Sequence, residues 1–210
     1  MARDSQATKA RILAAAFDEF AEYGIAGARV DRIADAAEAN KRMIYVYYGN
    51  KEQLFDQVIQ QALEQGAESV PFDAEDLPGY AGAIFDHLTA DPRLMRLVMW
   101  KRLERPEPTS LEAASYERKT AALAAAQRDG RVDPTHGPAD LLMLVLALAQ
   151  AWFTTAGGAP ADSADSTGGS AWSEHLREGH RAAVVDAVAR LVAVRHRPEP
   201  AAPASHAEVH

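Results

Sequence analysis

The sequence predicts an all-α protein of about nine helices. Apolar residues recur at spacings of three and four along most of the chain, as in amphipathic helices. Glycines, prolines and capping residues separate these stretches, and no stretch shows the alternating pattern of a β-strand. The composition, 48% hydrophobic and 25% charged, is that of an ordinary globular protein.

The first two helices lie within the first 37 residues. Ile12, Phe17 and Phe20 lie on one face of the first helix, and Gly24 is a suitable stop. The second helix is predicted from about Val30 to Ala37, with its apolar residues on one side. Both helices therefore have a face that can enter a shared core.

Two asparagines mark the starts of the next two helices. Asn40 can cap a third helix, from about Lys41 to Tyr48, which ends at the following glycine. Asn50 and Gln53 form a capping-box pattern at the start of a fourth helix, which continues to about residue 66.

The remaining five helices are bounded by proline and glycine. Asp91 and Pro92 are a cap followed by proline at the first helical position. The predicted ranges are 78–89, 92–105, 111–129, 141–155 and 173–195. A loop rich in Gly, Ala, Ser and Asp is expected from Gly157 to Ser170, and residues 198–210, rich in Pro and Ala, are expected to be a disordered tail.

Composition excludes several classes of protein. There is no cysteine, which fits a reducing cytoplasm and leaves no thiolate metal site. The longest apolar run, residues 141–153, is shorter than the roughly 20 residues that cross a bilayer, so we expect a buried helix and no membrane partner. The histidines offer no credible metal site, and no catalytic or nucleotide-binding motif is present, so we expect neither an enzyme nor a cofactor.

The distribution of charge indicates two functions within the chain. The formal net charge is −8, yet residues 1–55 hold as many basic as acidic residues, so the remainder carries the whole excess. Within the neutral part, no acidic residue occurs from Ala39 to Lys51, although three of the six tyrosines and three cations lie there. Such a cluster faces either a core or a polyanion.

The short second and third helices have the dimensions of a helix-turn-helix. In such a unit the second helix can enter the major groove of DNA. Arg42 can then bind guanine, Met43 can touch a thymine methyl, and Lys41 can hold a phosphate. The capped helix ends at Asn40 and Asn50 also offer backbone N–H groups to phosphates.

The segment from Gly24 to Phe55 resembles the DNA-binding domain of the tetracycline-repressor (TetR) family of bacterial transcription regulators. Its spacing matches the family pattern at Gly24, Val30, Ile33, Ala34, Ala37, Ile44, Tyr45, Tyr47, Tyr48, Lys51, Glu52 and Leu54. The resemblance implies that Tyr45, Tyr47 and Lys51 hold phosphates and that residues 41–43 face bases. It also implies that Ile44 and Tyr48 belong to the core.

Five positions depart from the family pattern, one of which, Asn40 in place of Ser, exchanges one good helix cap for another. Ala28 and Arg29 replace a threonine pair, so the second helix lacks a hydroxyl cap, and Arg29 is a phosphate ligand instead. Glu38 and Ala39 stand in the turn where Gly and Val are usual. The complete set of predicted DNA-binding residues is Arg29, Asn40, Lys41, Arg42, Met43, Tyr45, Tyr47 and Lys51.

We therefore expect a ligand-responsive transcriptional regulator, most simply a repressor that leaves its operator when a small-molecule effector binds. The predicted domains are a DNA-binding domain over residues 1–50, a helical ligand-binding and dimerisation domain over 51–197, and the tail. Because one short helix reads few bases, a homodimer on palindromic double-stranded DNA is expected. The alternative is an all-helical binding or scaffold protein without sequence-specific DNA recognition.

The C-terminal domain is expected to provide both the dimer interface and the effector pocket. Helices 141–155 and 173–195 would pair across a two-fold axis, with the stripe containing Val188 and Leu191 in the interface. Gln150 would need a partner once buried, such as His87, Tyr116 or the effector. The predicted pocket residues are His87, Met95, Val98, Met99, Trp100, Tyr116, Leu123, Met143, Leu146, Gln150 and Phe153. The fourth helix, which joins the domains, is the expected lever.

Overall fold

The computed structural model describes residues 2–155 and 169–194, and every regular element within them is an α-helix. This confirms the all-α prediction. The helices of this described part are α1 Ala2–Gly27, α2 Val30–Ala36, α3 Lys41–Tyr48, α4 Lys51–Ser69, α5 Leu77–Ala90, α6 Pro92–Glu104, α7 Ser110–Arg128, α8 Pro138–Thr154 and α9 Gly169–Val192. None of these helices is both long and apolar enough to cross a membrane.

Gly24 interrupts α1 without ending it. Its backbone has φ 66° and ψ −172°, and a further turn continues to Gly27. This left-handed φ favours glycine. In addition, a Cβ at Gly24 would lie 2.8 Å from ring carbons of Trp100. Glycine is therefore required at this position both by the backbone conformation and by the contact with α6.

Other helix ends differ from the sequence prediction by a few residues. Helix α4 passes through Gly66 and ends at Ser69, because an isolated glycine lowers helix stability without forcing a stop. Helix α8 ends at Thr154, ahead of the glycines expected to terminate it. Helix α9 already includes Gly169 and Ser170, the last two residues of the predicted loop. Residues 157–168 of that loop, and the predicted tail, lie outside the described residues.

Helices α1 to α4 surround the first hydrophobic core. Phe20 of α1 and Phe55 of α4 meet edge to face, with ring centroids 5.1 Å apart. Ile33 of α2 and Ile44 of α3 are also buried in this core, and Leu97 of α6 enters it from the rest of the chain. The core thus includes the first half of α4 and one side chain of α6.

Helices α5, α7, α8 and α9 surround the second core. Val188 is fully buried in it, at 0% exposure, and Leu191 packs against it. The prediction that the stripe containing Val188 and Leu191 faces a dimer interface is therefore wrong for Val188. The stripe is used within the protomer, because α9 packs against α5 and α8.

Helix α6 lies between the two cores and contacts α1 along one face. The residues of this face recur at spacings of three, four and four, the period of a helix. They are Arg93, Arg96, Trp100 and Glu104. Arg93 pairs with Asp18 and Arg96 pairs with Glu22 of α1.

The last residue of α6 binds the end of α1 directly. The Glu104 carboxylate accepts hydrogen bonds from the backbone N–H groups of Ile25 at 2.5 Å and Ala26 at 3.4 Å. These N–H groups follow the break at Gly24 and so resemble the free donors at the start of a helix. Glu104 therefore caps the last turn of α1 from a different helix.

Other side chains of α6 bind helices of the second core. Arg102 donates a hydrogen bond to the side-chain oxygen of Gln150 in α8 at 3.0 Å. The buried Lys101 pairs with Glu112 of α7 at 2.9 Å. Helix α6 thus makes polar contacts with both halves of the protein.

Candidate nucleic-acid interface

Helix α3 presents a free outer face. Ile44 is buried, as predicted, and it anchors the helix on the first core. On the other side Arg42 is exposed, and Tyr45 and Val46 are 45% and 66% exposed. This face combines a guanidinium, a phenol and an apolar side chain, with Met43 half-buried beside it.

The start of α3 is capped as predicted. The Asn40 side-chain oxygen accepts a hydrogen bond from the Arg42 backbone N–H at 2.8 Å. The next helix, α4, begins with the complete capping box of Asn50 and Gln53. Both caps fix where these two helices begin.

The turn between α2 and α3 has the geometry of a Schellman motif. The Ala39 N–H donates to the Ala34 carbonyl at 2.9 Å, and the Glu38 N–H donates to the Asp35 carbonyl at 3.1 Å. Glu38 occupies the left-handed position, with φ 47°, where glycine is the usual residue. The turn found with Gly in the family pattern is therefore formed here by a strained glutamate.

Lys41 is held by an acidic side chain of α2. Its ammonium lies 2.7 Å from the Asp31 carboxylate, and both side chains are about half exposed. The hydrogen bond from Lys41 lowers the pKa of Asp31. Asp31 therefore stays charged at neutral pH and would compete with any anion that approaches Lys41.

The missing hydroxyl cap of α2 is replaced by a carboxylate from α1. The N-cap residue of α2, Arg29, makes no side-chain cap. Instead the buried Glu19 accepts a hydrogen bond from the Arg29 backbone N–H at 2.7 Å. The Arg32 guanidinium also binds Glu19, with its Nε 2.8 Å from one carboxylate oxygen. The exposed Arg29 side chain needs no role in capping and is free to meet a phosphate.

Tyr47 and Tyr48 point from α3 towards the first half of α1. The Tyr47 hydroxyl accepts a hydrogen bond from Ser5 at 3.3 Å, and Lys9 lies 5.1 Å from the centre of its ring. Tyr48 donates to the Lys9 carbonyl at 3.0 Å, and burial raises the pKa of its phenol. Tyr48 is thus half-buried against the first core, and Lys9 adds a cation to this edge.

Lys51 also has a structural contact. Its ammonium donates to the backbone carbonyl of Ala28 at 3.1 Å, between α1 and α2. One ammonium hydrogen is used there, and two others can reach a phosphate. Lys51 therefore ties the start of α4 to the start of the helix-turn-helix.

The eleven predicted pocket residues occupy different environments in the described part of the chain. Met95 and Leu123 are buried, and Val98 and Leu146 are half-buried, whereas Met99 is 40% and Met143 61% exposed. Trp100 faces the break in α1. His87 lies beside α4, since its Nε2 would be 3.8 Å from a Cβ added at Gly66 of that helix.

Three further members of that set have partners of their own. Gln150 binds Arg102 at the surface, in place of the expected His87 or Tyr116. The Tyr116 hydroxyl donates to the Ala139 carbonyl at 3.1 Å. The ring of Phe153 lies 5.7 Å from that of Phe85. Within the described residues, no group of three or more His, Asp and Glu side chains could hold a metal ion.

Sequence reasoning missed three side chains at or near the helix-turn-helix, which are Glu19, Val46 and Glu104. Val46 could have been found, since it follows Arg42 by one helical turn on the free face of α3. Glu19 and Glu104 gave no local signal, because their hydrogen-bond partners are distant in sequence.

Comparison with known proteins identifies the class of protein. The family model described as "Bacterial regulatory proteins, tetR family" matches residues 12–58, which contain the helix-turn-helix. A second model, "Tetracyclin repressor-like, C-terminal domain", matches residues 76–190. The chain therefore belongs to the tetracycline-repressor family, and it is a DNA-binding transcriptional regulator.

Individual relatives agree with this conclusion. The HTH-type transcriptional repressor SCO4008 of Streptomyces coelicolor is 45% identical over 152 residues, which cover 70% of this chain and 79% of that protein. The solved structure of the transcriptional regulator SCO4942, also from Streptomyces coelicolor, is 39% identical with a TM-score of 0.74. The match covers 88% of this chain and 98% of that one. Salmonella enterica GusR, at 18% identity and a TM-score of 0.64 over 88% of this chain and 95% of that one, shares the fold.

Proposed function

We propose that this chain is a homodimeric repressor that binds a near-palindromic operator and leaves it when a small-molecule effector binds the C-terminal domain. The observation that carries the proposal is the outer face of α3, where Arg42, Tyr45 and Val46 are exposed and no acidic residue lies nearby in sequence. The relative SCO4008 is named a repressor, and this supports repression in preference to activation. The function requires a cytoplasmic location, with the chromosome, and no catalysis.

The proposed DNA contacts divide into base readout and phosphate binding. Arg42 reads guanine through two hydrogen bonds, while Met43 and Val46 contact thymine methyl groups. The proposed phosphate ligands are Arg29, Asn40, Lys41, Tyr45, Tyr47 and Lys51. Phosphate contacts fix the position of α3 on the duplex, and base contacts give the sequence preference.

The second copy of the chain is proposed to bind the outer face of α8. Met143 and Leu144 are 61% and 41% exposed on that helix, and Leu176 is exposed on α9. Large apolar side chains clustered at a surface favour association. A symmetric pair of α8 and α9 would hold two copies of α3 at a fixed distance, as a palindromic site requires.

Helix α6 is proposed to carry the effector signal, together with α4. One face of α6 is bound to α1 through Trp100 and Glu104, while Arg102 contacts α8 and Lys101 contacts α7. An effector that favours a different position of α6 would move α1 and the helix-turn-helix with it. Operator release follows if the two α3 helices then no longer fit successive major grooves.

A gel-shift assay with the DNA upstream of the chain's own gene tests the proposal. Arg42→Ala should weaken operator binding by about 1–3 kcal/mol and relax its base preference. Lys51→Ala should weaken binding to all sequences alike. It should also reduce the slope of log K against log salt concentration by about one unit. Because Lys51 also binds Ala28, its variant needs a thermal denaturation control. Wild-type affinity in both variants would contradict the assignment of α3 as the recognition helix.

A further inference from the structure

Four rings from three helices meet in the C-terminal domain, outside both hydrophobic cores. Phe85 of α5 lies 5.7 Å from His180 of α9 and 6.5 Å from Trp152 of α8, and Trp152 lies 5.1 Å from His180. Phe153 completes the group at 5.7 Å from Phe85. Phe85 is 2% exposed, whereas the other three rings are half-buried. We call these four residues the aromatic cluster.

The aromatic cluster contains a polar ring, the imidazole of His180. The Nε2 of His180 is buried, and it has no hydrogen-bond partner among the residues that the structure describes. The neighbouring Arg181 is occupied by its pair with Asp86, at 2.8 Å. A buried polar atom without a partner costs about 1–3 kcal/mol. A phenylalanine would fill the same space without this cost, so ring packing alone does not account for an imidazole here.

We infer that the aromatic cluster is the effector subsite and that its ligand is a planar aromatic compound bearing a hydroxyl group. The inference rests on the proposed function, because it assigns the ligand of the proposed repressor. Phe85, Trp152 and Phe153 supply ring faces and edges for a planar aromatic ligand. A hydroxyl can both donate and accept a hydrogen bond, so it satisfies His180 Nε2 in either neutral tautomer of the imidazole.

The position of the aromatic cluster connects such a ligand to the DNA-binding domain. Trp152 follows Gln150 by two residues in α8, and Gln150 binds Arg102 of α6. Phe85 belongs to α5, which also packs against α6. A ligand that separates Phe85 from Trp152 therefore displaces two neighbours of α6, the helix that caps α1 through Glu104.

Phenol and toluene are matched probes for this site, because they have nearly the same shape and differ in the hydroxyl. Their dissociation constants can be measured with the full chain by titration, following the ring signals of His180 by NMR and, in variants, the indole signal of Trp152. The wild-type chain should bind phenol about tenfold more tightly than toluene, which corresponds to about 1.4 kcal/mol.

Variants at two histidines of α9 separate the inference from a general effect on packing. His180→Phe should abolish the preference for phenol, whereas His180→Gln, which keeps a hydrogen-bonding group, should retain part of it. His175→Phe, which changes an exposed histidine of the same helix, should leave the preference intact. Circular dichroism establishes that each variant is folded.

Two results would overturn the inference: no saturable binding of phenol to the wild type, or an unchanged preference in folded His180→Phe. A gel shift with the same proteins measures operator binding separately, so a failure of the subsite can be distinguished from a failure of the proposed function. If the operator is bound but phenol is not, the assigned subsite fails and the repressor proposal stands. If phenol is bound with the expected preference and no upstream DNA is bound, the proposed function fails.

Discussion

The Glu104 carboxylate lies 2.5 Å from the backbone N–H of Ile25 and so joins the last residue of α6 to the last turn of α1. Glu104→Gln keeps the size of the side chain but removes the charge that strengthens this hydrogen bond. We expect amide hydrogen exchange at Ile25 and Ala26 to become about fivefold faster, for a loss of about 1 kcal/mol. Site-resolved exchange measured by NMR checks this.

The matched control for Glu104 is Glu107→Gln, at an exposed glutamate just beyond α6. Exchange at Ile25 and Ala26 should not change in that variant. Operator affinity should fall in Glu104→Gln and stay constant in Glu107→Gln, because the orientation of α1 depends on the former residue. Equal exchange rates in the wild type and Glu104→Gln would contradict the capping role.

Removal of Asp31 should strengthen operator binding. The Lys41 ammonium, 2.7 Å away, holds the pKa of Asp31 below its usual range. The pair is therefore intact at neutral pH, and it is lost only as the pH falls through that lowered value. Asp31→Asn frees Lys41 for a phosphate, so affinity should rise several-fold at low salt, and the plot of log K against log salt should steepen by about one unit.

The control for Asp31→Asn is Asp35→Asn, which removes another exposed acidic group from α2 without freeing Lys41. Fluorescence anisotropy with labelled operator over a range of salt concentrations measures both slopes. An unchanged slope and affinity in Asp31→Asn would show that Asp31 does not compete with a phosphate for Lys41.

Glycine at position 38 should stabilise the protein. Glu38 has φ 47° at the left-handed position of the turn between α2 and α3, and glycine adopts this conformation without steric cost. Glu38→Gly should therefore raise the free energy of unfolding by about 1 kcal/mol, measured by urea denaturation. Glu38→Ala removes the same charge but keeps a Cβ, and it should give no comparable gain. Equal effects of the two substitutions would show that backbone strain is not the cause.

Charges on the outer face of α8 should disrupt the proposed dimer and leave the fold of the protomer intact. Met143→Asp together with Leu144→Asp changes two exposed apolar side chains. We expect monomers in analytical ultracentrifugation, a normal helical circular dichroism spectrum and a loss of operator binding. Val188→Asp should instead unfold the chain, because that side chain is fully buried within one protomer. A wild-type chain that is monomeric at micromolar concentration would exclude this interface.

The sequence predicted the helices, and the starts of α2, α3, α4 and α6, because these follow local rules, whereas α8 and α9 begin a few residues earlier than predicted. The capping box of Asn50 and Gln53 needs residues only three positions apart, and the structure contains it. Helix ends were predicted less accurately, as at Gly24, where a glycine interrupts α1 but the following turn is retained by Glu104. That contact joins residues 79 positions apart, so no local pattern could reveal it.

The candidate sites also differ in how much of each could be predicted from the sequence. The face of α3 could be derived from residues 40–51, because helical spacing fixes which side chains share a face. The partner of Gln150 could not be derived, since Arg102 lies 48 positions away on a helix whose orientation the sequence did not specify. Val188 shows a related difficulty, because an apolar stripe gives the same pattern whether it faces its own protomer or another one.

The pairing of Lys41 with Asp31 has a consequence for how the protein would find its operator. With Lys41 paired and residues 1–55 balanced in charge, the general attraction of this surface to a polyanion rests on a few other cations, such as Arg29, Arg42 and Lys51. Random genomic DNA would retain the dimer only briefly, and sliding along the duplex would be short. We expect the search to proceed mainly by repeated collisions from free solution, with residence time on the chromosome concentrated at the few sites whose bases fit α3.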